Sequence, residues 1–187
     1  MTEPYLSPLR PMVTHIAVVV DDIEAGIEWY HNVLGAELIW GPHTWGTSPD
    51  DPAATRAARE ILDEKFQSMR LCHLRFSNFG LELFEFIEPR TEFSRFEDRY
   101  SSSGAVNHFG IYVDDVARFA RFVAENGGRQ RSAPLEFPAP GCLLVYCQDP
   151  WGNPFELYNR DHESFYLNRE APGSELRRPL NLKRQRE

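Results

Sequence analysis

His15 and His108 each begin a strand-like run. The first reads His-Ile-Ala-Val-Val-Val-Asp-Asp-Ile, and 93 positions later the second reads His-Phe-Gly-Ile-Tyr-Val-Asp-Asp-Val. Each run is followed by a further short strand that carries a glutamate, Leu81-Glu82-Leu83-Phe84 and Phe155-Glu156-Leu157-Tyr158, shortly after Gly80 and Gly152. The chain therefore contains two copies of one module, and the copying repeats a histidine together with a glutamate. Two imidazoles and two carboxylates form a ligand set for one divalent metal ion, and without thiolates they suit Fe, Mn, Ni, Co or Zn. An octahedral ion held by three or four side chains keeps two or more open positions, which fit a substrate with two neighbouring oxygens. A lone strand histidine is ordinarily structural and a strand glutamate ordinarily faces solvent. Four such residues that match by repeat and by face argue instead for a site.

The elements that must position these residues follow from periodicity. Val13 to Val20 is apolar on both faces, as in a strand covered by a helix on one side. Alternation puts His15, Ala17 and Val19 on one face, away from that helix, and Ile16, Val18 and Val20 on the other. Asp22 caps a helix whose stripe is Ile23, Ile27, Tyr30 and Leu34, and Gly35 stops it. A strand over 36–41 and a hairpin of 69–76 with 81–87 complete a βαβββ module. The second copy has a strand at 106–113, a helix at 115–126 with Val116, Phe119, Ala120 and Val123 on one stripe, and strands near 129–137, 142–148 and 154–158. The same count places His108, Gly110 and Tyr112 together, Glu82 with Phe84 and Phe86, and Glu156 with Tyr158, so that all four candidates face a shared concave side. Glu85 competes with Glu82, but it falls on the opposite face with Leu81 and Leu83 and has no counterpart in the repeat.

The fold class expected is α+β, with paired βαβββ modules forming a cupped mixed sheet. An N-terminal extension (1–12) precedes the first module (13–88). A linker (89–104), the second module (105–160) and a C-terminal tail (161–187) follow. The His-to-Glu distance shortens from 67 residues to 48 between copies, and residues 43–66 account for the difference as an insertion. Within it Pro52 to Lys65 reads as an amphipathic helix, either a lid over a pocket or decoration.

These residues resemble the vicinal-oxygen-chelate superfamily of glyoxalases, methylmalonyl-CoA epimerases, extradiol dioxygenases and fosfomycin-resistance enzymes. The resemblance runs from about Val13 to Asn159. It rests on His-x-Ala-x-x-Val-x-Asp, on Leu34-Gly35-Ala36, on the Leu-Glu-Leu strand and above all on Asp149-Pro-Trp-Gly-Asn-Pro-Phe-Glu-Leu157. It implies a glyoxalase-like cupped sheet around one divalent metal ion held by His15, His108 and Glu156, with Glu82 at the position of a fourth ligand. It also implies a small-molecule substrate and a homodimer, although modules of this kind pair either within one chain or across a dimer. Tyr146 lies where ring-cleaving members carry a substrate-orienting tyrosine. No histidine occurs between Phe109 and Asp161, so the companion histidine of those enzymes is missing.

His73 lies mid-strand, as a proton carrier beside the ligands or a hydrogen-bonded core histidine, while His31 and His43 are expected to be exposed. Nine aromatic side chains, Trp40, Trp45, Phe84, Phe86, Tyr146 and Tyr158 among them, are candidates to line an apolar cup.

Composition narrows the partners. The net charge is −8, but from Asn168 onward six Lys or Arg stand against three Asp or Glu, leaving 14 basic and 25 acidic residues and a charge of −11 on the body. Such a body repels a phosphate backbone, so no nucleic acid is expected as partner. No apolar run has membrane-spanning length and Met1 to Met12 lacks a secretory apolar stretch, so no membrane partner and a cytoplasmic location are expected. Three cysteines without Cys-x-x-Cys spacing read as buried thiols.

The leading expectation is a metal-dependent lyase or isomerase of the glyoxalase and epimerase type, moving a proton next to a metal-chelated carbonyl. Its catalytic candidates are Glu82, Tyr146 and Glu156, with Glu82 as fourth ligand or general base. The alternatives are an Fe(II) extradiol-type dioxygenase and a non-catalytic binding protein for a flat hydrophobic compound.

Overall fold

The β-branched run after His15 folds as β1 (His15–Val19), and the Asp22 carboxylate accepts a hydrogen bond from the Ala25 amide at 2.9 Å to start α1 (Ile23–Leu34). Gly35 ends that helix in the left-handed conformation at φ 73°. The structure, a computed structural model, describes residues 12–93, 106–137 and 139–166. It divides into two units, Met1–Ser102 with Trp151–Asn153, and Ser103–Pro150 with Pro154–Glu187. The extension up to residue 11, the linker from 94 to 104 and the basic tail from 167 lie outside the described residues.

The first unit continues through β2 (Glu37–Gly46), α2 (Pro52–Ile61), β3 (Ser68–Arg75) and β4 (Gly80–Glu88). Its four strands form a mixed sheet in the order β1-β4-β3-β2, with β1 parallel to β4 and the other pairs antiparallel. One face carries the buried Val18, Val20, Cys72, Leu74, Leu81 and Leu83, and α1 packs there with Ile23, Gly26, Trp29, Tyr30 and Val33. Burying a side chain such as Leu or Ile contributes about 1.5–3 kcal/mol, so this layer anchors β1 and β4. The helix stripe is rotated from the expected one: Ile27 and Leu34 are only half-buried. Gly26 explains the shift, because a Cβ there would stand 3.1 Å from Leu83 Cδ1, and the bare backbone lets the helix settle on that side.

Two boundaries differ from the sequence expectation. β2 runs to Gly46, so His43 and Trp45 are strand residues opposite Leu71 and Met69 rather than the start of an insertion. The helix stops at Ile61, which is 70% exposed, instead of running on to Lys65, and Ala58 is its one buried residue. The residues that anchor the insertion are Ala58 and Phe66, packed with Met69 against Trp45, Leu62, Leu71, Phe84 and Phe86. Phe84 and Phe86 therefore belong to a small core beneath the insertion.

The second unit contains β5 (Phe109–Tyr112), α3 (Val116–Glu125), β6 (Arg129–Gln130), β7 (Leu135–Glu136), β8 (Leu143–Gln148), β9 (Pro154–Tyr158) and α4 (His162–Tyr166). Its mixed sheet has the order β5-β9-β8-β6, with β7 also pairing β8. The strand expected over 129–137 is thus two short pieces. Val116, Ala120 and Val123 of α3 are buried, and Asp115 caps the helix as its repeat counterpart Asp22 does. Beyond residue 160 the chain still contributes to the core: Phe165 is fully buried with Cys142, Leu144 and Tyr158. Both units are α+β. Among the described residues no helix is long and apolar enough to cross a membrane.

Candidate functional site

β9 and β5 run parallel, with Glu156 beside Gly110, and β8 places Tyr146 directly opposite Glu156. His108 comes just before β5, and its Nε2 lies 3.2 Å from Glu156 Oε2. The other ring nitrogen, Nδ1, is 2.7 Å from Oδ1 of the Asn107 side-chain amide. That oxygen has no proton to give, so Nδ1 donates, and in the neutral imidazole Nε2 presents its lone pair to the carboxylate. The hydroxyl of Tyr158, two residues along the same face, also donates to Glu156 Oε2. Glu156 Oε1 is buried and without a hydrogen-bond partner, on a side chain only 2% exposed.

A buried carboxylate oxygen with no partner is costly, and two electron-rich atoms face each other beside it. A cation resolves both. Ligand atoms about 2.1 Å from one ion and at right angles to each other stand about 3.0 Å apart, close to the His108 to Glu156 separation. The donor set of imidazole nitrogen and carboxylate oxygen therefore fits a divalent ion.

The first unit repeats the pair. β1 and β4 put Ala17 beside Glu82, and His15 Nε2 lies 3.5 Å from Glu82 Oε2. His15 Nδ1 is 2.9 Å from Thr14 Oγ1, so here too the preceding residue engages the second ring nitrogen. β3 places His73 directly opposite Glu82, with its Nδ1 3.2 Å from Oε1. The rings of Trp40 and His73 meet edge-on at 5.3 Å. Glu82 is less enclosed than Glu156, with 16% of its side chain exposed.

The structure thus brings His15 together with Glu82, and His108 together with Glu156. Among the described residues no group of three or more His, Cys, Asp or Glu side chains is gathered at metal-holding distances. Tyr146 meets the ring of His108 edge-on at 5.3 Å. His31 and His43 are exposed. Glu85 faces the helix side, where it accepts from the Ile23 amide at 3.3 Å and pairs with Arg70. Burial pushes the thiols of Cys72 and Cys147 up to about 11 and about 12, so these free cysteines offer no thiolate at neutral pH.

Sequence reasoning missed the clamp on Glu156. Glu-x-Tyr on one strand face was a usable signal, since residues two apart share a side. Gly110 is the other omission: a Cβ there would lie 2.7 Å from Tyr158 Cε2, so the glycine makes room for the ring whose hydroxyl reaches Glu156. The Asp149-Pro-Trp-Gly-Asn-Pro segment also gains a structural role. In the first unit Trp151 Nε1 donates to Asp21 Oδ1, and Asn153 Nδ2 donates to the Val19 carbonyl at 2.9 Å.

Comparison with known proteins agrees with this fold. The family model described as Glyoxalase/Bleomycin resistance protein/Dioxygenase superfamily matches residues 13–157. A 2-epi-5-epi-valiolone epimerase from Actinomyces sp is 32% identical over 154 residues, covering 79% of this chain and 78% of the relative. A probable chloroplastic lactoylglutathione lyase from Arabidopsis thaliana is 27% identical over 146 residues, and the chain spans only 35% of that relative's length. A glyoxalase family protein from Bacillus cereus has a similar fold, with a TM-score of 0.60 at 14% identity over 84% of this chain and 97% of that one. So does a mutant fosfomycin resistance protein from Listeria monocytogenes, solved with Mn(II) and 1S,2S-dihydroxypropylphosphonic acid, with a TM-score of 0.51 at 13% identity over 82% of this chain and 95% of that one. With 145 consecutive residues matched and a duplicated His and Glu framework, the chain belongs to the Glyoxalase/Bleomycin resistance protein/Dioxygenase superfamily.

Proposed function

We propose that the protein is a metal-dependent enzyme of the glyoxalase and epimerase type, which moves a proton at a carbon next to a carbonyl of a small organic substrate. The observation that carries this reading is the buried, partnerless Glu156 Oε1 beside the lone pair of His108 Nε2. His15, His108 and Glu156 would hold one divalent ion of the Fe, Mn, Ni, Co or Zn group, with Glu82 as fourth ligand or base. The epimerase among the relatives and the lactoylglutathione lyases are consistent with chemistry of this type.

The bound ion would supply Lewis acidity, withdrawing electron density from the substrate carbonyl and making the neighbouring C–H acidic. Glu82 is the better placed of the two carboxylates to take that proton, because its side chain is 16% exposed against 2% for Glu156. The C–H bond breaks as an O–H bond forms on the Glu82 carboxyl, and the electron pair moves to the carbonyl oxygen. Return of that proton by Glu82 to the neighbouring carbon isomerises the substrate, and delivery of a proton to the opposite face by a second, solvent-fed donor inverts the centre. Tyr146, against the ring of His108, orients the substrate oxygens.

The test is a pair of isosteric variants assayed for metal content and for deuterium uptake from D2O into a hemithioacetal or thioester. Glu82→Gln is expected to bind the ion more weakly but still to fill at saturating metal, and to lose about 10²–10⁴ in exchange rate, the usual worth of a general base. Glu156→Gln is expected to lose the metal. A Glu82→Gln variant that stays empty at saturating metal would make Glu82 an indispensable ligand, and full exchange by that variant would contradict its role as base. Oxygen consumption with catechols in place of deuterium uptake would assign the Fe(II) dioxygenase reading. A wild-type protein that takes up no transition ion would assign the binding-module reading.

A further inference from the structure

The two glutamates occupy matching places in the repeats, but their surroundings are not copies. Glu156 is held by the Tyr158 hydroxyl, two residues further along β9. The matching residue two after Glu82 is Phe84, which has no proton to donate and lies against the Ala58, Phe66 and Met69 cluster. Ala17 replaces Gly110 beside the glutamate, so the first unit also lacks the space that lets Tyr158 lean in. The compensating change is on the other neighbouring strand. Opposite Glu156 stands Tyr146, which packs on His108, whereas opposite Glu82 stands His73, with Nδ1 3.2 Å from Glu82 Oε1.

We propose that His73 is the positioning residue of Glu82, taking the part that Tyr158 plays for Glu156. Its Nδ1, 3.2 Å from Oε1 in an ion-pair contact, holds that oxygen and leaves Oε2, the oxygen nearer His15, as the single oxygen that serves the ion and the proton transfer. This rests on the reading above that Glu82 serves a bound ion. A clamp on one oxygen fixes the carboxylate plane and prevents two-oxygen binding of the ion. It also leaves Glu82 as a carboxylate with one free end, able to leave the ion and return. The edge-on ring of Trp40 at 5.3 Å holds the imidazole in that orientation. Partners that orient a metal ligand ordinarily contribute about 10- to 100-fold to metal affinity, which sets the effect to look for.

The experiment titrates the metal-free full-length protein with Co(II) and follows its visible absorption, so turnover is not needed. His73→Ala is expected to weaken Co(II) binding about tenfold or more. His73→Phe, which keeps a ring against Trp40 but has no donor, is expected to match it. His73→Asn, whose amide nitrogen sits on the same Cγ as Nδ1, is expected to recover most of the affinity. Native affinity in the Ala or Phe variant would overturn the proposal, and so would an Asn variant as weak as Ala. His108→Ala in the same titration separates the two readings. If it abolishes binding while the His73 variants bind normally, only the role of His73 fails; if it has no effect, the metal reading itself fails.

Discussion

Glu156 is the residue on which the proposed chemistry turns, because it is the most completely enclosed of the four candidate ligands and yet has an oxygen with nothing to bind. Its Oε2 is fixed by the Tyr158 hydroxyl, and the ring that carries this hydroxyl depends on the missing Cβ of Gly110. Tyr158→Phe keeps the ring packed against Phe165 at 4.8 Å but removes the donor. Metal affinity measured by competition with a coloured chelator should fall by about tenfold or more, and the metal-free protein should lose about 1–3 kcal/mol for the buried oxygen left unpaired. Gly110→Ala should produce the same loss by displacing the ring. Unchanged affinity in both would show that the clamp is irrelevant to the ion.

At the level of elements, the sequence was most legible where one residue type had one job. Asp22 caps its helix as expected, Asp115 does the same in the second copy, and β9 spans 154–158 as its Phe-Glu-Leu core indicated. The faces of His15, Glu82 and Glu156 were readable from alternation, because one buried side fixes the register of a strand. Less legible were features set by partners distant in the chain. That His73 meets Glu82 depends on the cross-strand register of β3 and β4, which spacing within either strand does not give. The insertion was misjudged for a similar reason: its anchor is Phe66, beyond the helix, and its partners lie on β2, β3 and β4. Phe66→Ala removes a side chain 1% exposed and should lower stability by about 3–5 kcal/mol, with early protease cleavage near α2. A loop free to act as a lid would show no such loss, and the urea unfolding midpoint decides between them.

For the molecule as a whole, duplication supplied the framework, and the two copies have diverged in what surrounds their glutamates: a tyrosine hydroxyl at Glu156 and a histidine at Glu82. The helix-covered side of each sheet is structural, and its thiols report this. Burial holds Cys72 at about 11 and Cys147 at about 12, above the ordinary thiol value of 9.0. A raised folded value means that stability is complete below the unfolded thiol value and is lost as the pH climbs toward the folded ones. Unfolding midpoints should therefore be flat near neutrality and decline from about pH 9 to 12, and Cys72→Ser with Cys147→Ser should flatten that decline. A decline unchanged in the double variant would place its cause elsewhere.

The other side of each sheet carries the duplicated histidine and glutamate, and the claim that most depends on them is that both repeats serve one ion. Metal content per chain, measured on reconstituted wild-type, His15→Ala and His108→Ala proteins, tests it most directly. One equivalent in the wild type, lost from both variants, is the predicted result. Two equivalents falling to one in each variant, or an ion retained after either substitution, would contradict it.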